Sequence, residues 1–277
     1  MKSLKSRRFG VTLLAVAITT SACDDGPAEP GPEDAPDLPP IASMQVDMTI
    51  FNAAGQAAGM DGASSVSALG VHFVTAAATV TLARAATVLV MTLPVAVFAA
   101  AASEEPVYDS NDEAFHWRYS LTDGEATFEA DLSGYAQGVQ SIWAMRVSAS
   151  SFDPPLNAFL WYDGRANLDG TGGEWHIYSP DEPQGSEILQ IEWTHPDIDT
   201  WSLTFTNVNP AAEQMGDELT YEVDGDIRVV RFTDFSASTA AEIQWNAVSG
   251  VGYIEATNYN QGERACWDDN LDNVACS

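Results

Sequence analysis

The stretch RAATVLVMTLPVAVFAAAASEEP, Arg84 to Pro106, holds the longest apolar run of the chain outside its N-terminus. An apolar segment of about eighteen residues either crosses a bilayer, at the lower limit of length, or is buried in protein. The fold turns on which. From Ala85 to Ala102 every side is apolar, with Thr87, Thr92 and Pro94 the only breaks. Upstream, Val66, Leu69, Phe73, Ala76, Val80 and Ala83 recur at three- and four-residue steps, which is helical spacing. Ser64 or Ser65 is a candidate N-cap. A helical segment over 64–102 is therefore expected, kinked or restarted at Pro94 because proline has no N–H. Before it, IASMQVDMTIF (Ile41 to Phe51) reads as a short strand and NAAGQAAGMDGASS as a loop.

From about Pro106 alternation replaces helical spacing. FHWRYSL sets Phe115, Trp117, Tyr119 and Leu121 on one face, and EATFEADL does the same with Ala126, Phe128, Ala130 and Leu132. SIWAMRVS, NAFLWYDG, GEWHIY, EILQIEWTH, TWSLTFTNV, ELTYEV, IRVVRFTDF, AEIQWNAV and VGYIEATN continue the series, separated by turn-rich pieces such as TDGE, SPDEPQG and VDGD. The expected fold is mainly β with an apolar helical insert. It is an antiparallel curled sheet or open barrel of about eleven strands, over 107–277, packed on one or two N-terminal helices. Residues 41–277 read as one domain. Most of its tryptophans should be core, with some free to line a ligand pocket.

The chain opens MKSLKSRRFGVTLLAVAITTSAC. Lys2, Lys5, Arg7 and Arg8 precede the apolar stretch Val11 to Ile18, and small residues precede Cys23, which is the pattern of an export signal over 1–22. The small residues before Cys23 resemble the lipobox of bacterial lipoproteins, with Thr20 where that motif usually has Leu. The resemblance implies lipidation of Cys23, anchoring to a membrane through that lipid, and a place in the cell envelope on the periplasmic or outer surface. Residues 23–40 are acidic and Pro-rich and read as a disordered tether.

The remaining cysteines, Cys266 and Cys276, bracket ACWDDNLDNVAC. In an exported chain two close cysteines read as a disulfide, and their spacing fits neither a metal nor a redox C-x-x-C pair. This bears on the apolar run. One membrane crossing after Cys23 would put the sheet in the cytoplasm, where the bridge would be reduced. Two crossings would need Arg84 as almost the whole turn and a first span carrying His72. The run is expected to pack against the sheet instead.

The formal charge is −29. Four of the eleven basic residues precede Cys23, so the chain beyond it sets 40 acidic residues against seven arginines and no lysine, a charge of −33. Such a chain repels nucleic acid and anionic headgroups. High salt would screen its self-repulsion. Without lysine, Schiff-base chemistry is excluded beyond Cys23. His72, His116, His176 and His195 are scattered, with no zinc spacing, and no nucleophile elbow or P-loop occurs. No catalytic residue, metal or cofactor is expected. Composition leaves a carboxylate-dependent hydrolase open, but no constellation argues for one. ANLDGTGGE and WDDNLDN are acidic enough to raise calcium binding, yet neither follows the EF-hand frame.

The helix-plus-sheet arrangement loosely resembles the lipoprotein-carrier and receptor family of the Gram-negative periplasm, whose open barrels have helices over a cavity. The expected function is a non-catalytic binding or structural module, with a hydrophobic small molecule held between helix and sheet, or an envelope protein, as partner. The alternative is a surface interaction domain with a filled core.

Overall fold

A computed structural model describes residues 30–51, 69–124, 126–181 and 185–276. Cys23, the signal, the whole loop expected before the helix with its candidate caps Ser64 and Ser65, and Val66 lie outside these residues. One helix, α1 (Val71–Ala101), carries the apolar run. Fourteen strands follow: β1 (Val107–Asp109), β2 (Ala114–Asp123), β3 (Ala126–Gln137), β4 (Gln140–Ala149), β5 (Leu156–Asn167), β6 (Gly172–Tyr178) and β7 (Glu187–Asp197), then β8 (Thr200–Asn207), β9 (Glu218–Asp224), β10 (Ile227–Asp234), β11 (Thr239–Asn246), β12 (Gly252–Ala256), β13 (Ala265–Trp267) and β14 (Asn273–Val274).

Each strand pairs antiparallel with the next, in chain order, and β1 does not pair with β14, so the sheet is an open meander. The expected count of eleven is corrected to fourteen. The eleven alternating runs are β2 to β12; the other three span only two or three residues each, too short for a period of two to register. Ile41–Met44 and Thr49–Phe51 are 3-10 turns rather than a strand. The helix begins at Val71, after Gly70, and runs through Pro94 without ending there. Part of the expected tether also belongs to the fold: Ala35 and Leu38 pack on the core and Pro39 is buried.

The core lies on one face of the sheet. Trp117, Leu132, Trp143, Tyr162, Trp175, Ile191, Phe205, Tyr221, Ile243, Ile254 and Trp267 bring every strand from β2 to β13 except β10 to it, and Val230 adds β10. The helix lies across that face. Near its start Phe73 meets the Trp267 ring edge-on at 5.6 Å; near its end Phe98 meets Trp175 at 6.3 Å. Reaching β2 and β3 as well as β12 to β14 requires the sheet to curl around the helix. No helix among the described residues is long and apolar enough to cross a membrane. Ala76, Val80, Met91, Val97 and Ala101 are buried in the common core, as packing against the sheet predicts.

Candidate functional site

The segment 41–51 crosses the same concave face and borders a cleft. Three anchors hold it. Ser43 Oγ accepts from Trp175 Nε1 at 3.0 Å, the Asp47 carbonyl accepts from the Tyr221 hydroxyl at 3.4 Å, and Phe51 packs edge-on to Trp245 at 5.1 Å. It thus runs from β6 past β9 to β11. Where it leaves the sheet uncovered, a cleft of about 670 Å³ opens. Trp201 and Leu203 from β8, Tyr221 and Val223 from β9, and Arg228 from β10 form its floor; Val46 and Thr49 stand on the segment side. This is within the usual size of small-molecule sites, which are apolar and aromatic with a few fixed polar groups. The expected ligand space lay between helix and sheet; no described helix residue lines the cleft, which is bounded by the 41–51 segment instead.

Trp201 is the only one of the eight tryptophans that is not buried. It stacks on His195, with ring centroids 3.8 Å apart, and lies near-parallel to Trp193 at 6.2 Å. At the mouth the β7–β8 turn presents Ile198, 86% exposed, beside the exposed Asp199. Burial pushes the Tyr221 hydroxyl up to about 12; Arg228 opposes that shift, and the negative charge of the Asp47 carboxylate adds to it.

The opposite face is polar and carries the ion pairs. Arg231 bridges Glu222 and Glu242, each at 2.7 Å, and Arg264 holds Glu255 at 2.9 Å while lying over the Tyr253 ring. Burial pushes the Glu242 carboxyl up, but hydrogen bonds from Tyr253 and Arg231 outweigh it and the net shift is down. His176 Nδ1 lies 2.7 Å from Glu187, and its Nε2 3.4 Å from Glu174.

A second histidine group sits at the β1–β2 hairpin. Asp109, Asp112 and His116 bring ligand-type atoms within 4.8 Å of one another, a grouping the sequence reading did not expect. His116 is buried, with Nδ1 2.7 Å from Asp131 and Nε2 3.1 Å from Asp112; Arg118 Nε donates to the other Asp131 oxygen at 3.1 Å. Both ring nitrogens therefore face carboxylates. Asp109 accepts from Asn111, which holds its carboxyl below its ordinary value. These contacts account for the group as a hydrogen-bond network joining β2 to β3 and the hairpin turn.

The two acidic loops are folded by their own bonds. Asp169 Oδ1 accepts from the Thr171 amide and hydroxyl, and Asp268 Oδ1 from the Asn270 and Asp272 amides. Cys266 and Cys276 are bonded through sulfur, with Cα atoms 5.3 Å apart. Their loop grips the start of α1: Gly70 N donates to the Leu271 carbonyl and His72 N to Asn273 Oδ1, both at 2.9 Å.

Sequence reasoning identified the tryptophans as candidates but not the cleft. The usable signal was Arg228: it sits two residues before Val230 in an alternating strand and so falls on the apolar face. No family model, curated protein or solved structure matches this chain.

Proposed function

We propose that this protein is a non-catalytic binding module, anchored outside the cytoplasm by a lipid on Cys23, that holds a hydrophobic small molecule in the cleft beside segment 41–51. The observation that carries the reading is the cleft floor: a half-buried tryptophan, a leucine, a tyrosine and a valine around one opening, on the face that elsewhere is closed core. The anchor and the envelope location rest on the sequence of residues 1–23. The acidic surface argues against nucleic acid as a partner. Native mass spectrometry of the protein extracted from its own membranes, wild type beside Cys23→Ser, tests both parts. A covalent acyl mass on the wild type alone and a dissociable ligand on both are expected. An unmodified Cys23 removes the anchor, and a ligand-free protein in both preparations removes the binding role.

A second reading, contact with an envelope protein, has its own observation. Val139, Leu168, Ile198 and Val248 are exposed, each in a turn that follows an odd-numbered strand, so all four tips stand at one end of the sheet. Exposed apolar groups gathered at one end suit a partner surface. Serine at Val139, Leu168 and Val248, which do not line the cleft, should abolish pull-down of such a partner without changing ligand content.

A further inference from the structure

We infer that the cleft selects an amphiphile carrying a single negative charge, with its apolar body on Trp201 and Val223 and its anionic head on Arg228. This rests on the binding role proposed above and names its ligand class. Arg228 pairs in register with Val223 and Trp245, whose side chains face the core, so its own side chain is on the concave face. Arg118, Arg165, Arg231 and Arg264 lie on the outer face, each with a carboxylate partner. Arg228 has no carboxylate within 4.0 Å among the described residues, in a chain with 40 acidic side chains. Its Nη1 donates instead to the carbonyls of Gly225 and Ile227, the latter at 3.0 Å.

A guanidinium carries five donors, more than these two carbonyls and the neighbouring Tyr221 hydroxyl engage. Half-buried beside aromatic rings, it is a strong site for a carboxylate or similar head. The two other charged side chains of the lining, Asp47 and Asp199, are exposed. Asp47 Oδ1 is held by the Thr49 amide at 3.0 Å. Two rim carboxylates around one arginine disfavour a multiply charged head and leave room for one charge. Ile198 at the mouth extends the apolar surface outward for the tail.

The test uses the full chain carrying Cys23→Ser, so that no acyl chain of its own competes, in equilibrium dialysis against palmitate, hexadecanol and hexadecyltrimethylammonium. Palmitate should bind about tenfold or more tightly than hexadecanol, as one charge-assisted contact predicts. Arg228→Gln should remove that preference and leave hexadecanol unchanged. Val223→Trp, which fills the cleft, should abolish both, with melting curves showing that each variant folds. Equal binding of the three probes, or preference for the ammonium, overturns the anionic head while leaving the cleft a binding site. Undiminished palmitate binding by Val223→Trp overturns the placement. Failure of the unsubstituted cleft to bind any probe overturns the binding role itself.

Discussion

Trp143 occupies the space that a side chain at its cross-strand partner Gly134 would need. A Cβ there would lie 2.6 Å from Cε3 and 2.9 Å from Cη2 of the indole. The device recurs along the sheet. Gly164 pairs with Trp175, Gly173 with Trp193 and Gly252 with Trp267, and a Cβ at each would come 2.5 to 2.9 Å from the partner ring. A glycine inside a strand ordinarily costs about 0.5–1 kcal/mol relative to alanine. Here overpacking, about 1–3 kcal/mol, works the other way and is larger. Gly134→Ala is expected to lower unfolding free energy by about 1–2 kcal/mol in urea titrations. In the Trp143→Leu background the same change should be neutral or stabilising; an equal loss in both backgrounds would rule out the indole as the cause.

The loop closed by Cys266 and Cys276 holds the first residues of α1 through Leu271 and Asn273. Its bridge therefore supports helix docking as well as the short strands β13 and β14. Replacing both cysteines by serine is expected to cost roughly 3 kcal/mol in the chain-entropy account. Exchange of the Gly70 and His72 amides should speed up more than that of amides in β7. Uniform acceleration through the sheet would mean the bridge acts only on global stability.

The charge of the chain beyond Cys23 gives opposite effects of salt. Screening weakens the cross-strand pairs of Arg231 and Arg264, but exposed pairs contribute only about 0–1 kcal/mol each. It also relieves repulsion among 40 acidic side chains facing seven arginines. With a Debye length of about 10 Å at 0.1 M and about 3 Å at 1 M, repulsion is the larger quantity removed. The melting temperature should rise between those two sodium chloride concentrations. A fall would mean that the ion pairs outweigh the repulsion.

Alternation made the sheet legible because most of the strands from β2 to β12 bury one face more deeply than the other. It failed at β1, β13 and β14, whose two or three residues are placed by their neighbours rather than by a pattern. Segment 41–51 misread as a strand for a related reason. Met44, Met48 and Phe51 are buried, but at the spacing of two short turns joined by extended chain. The apolar run was read as packed on the sheet from its length, the cysteines and the poor first span, and its buried residues lie in the common core. The cleft was not legible. It depends on where segment 41–51 stops covering the sheet, and that is set by contacts such as Asp47 with Tyr221, 174 residues apart in sequence. The Asp109–Asp112–His116 group was likewise missed, because a hairpin turn assembled it at no known ligand spacing.

His176 offers a pH-dependent test of the outer face. Burial alone would lower its pKa, but the bonds to Glu187 and Glu174 outweigh that and raise it above the ordinary 6.5. A folded-state value above the unfolded one means that the imidazolium stabilises the fold. That contribution is present in full below about pH 6.5 and is lost as pH rises through the folded value. His176→Gln keeps a hydrogen-bonding side chain without this titration. The stability gap between wild type and His176→Gln should therefore be wider at about pH 6 than at about pH 8.5. Adding Glu187→Gln to both proteins should shrink the pH dependence of the gap, because Glu187 makes the shorter contact. A gap that stays constant with pH would show that His176 stabilises the sheet by packing rather than by charge.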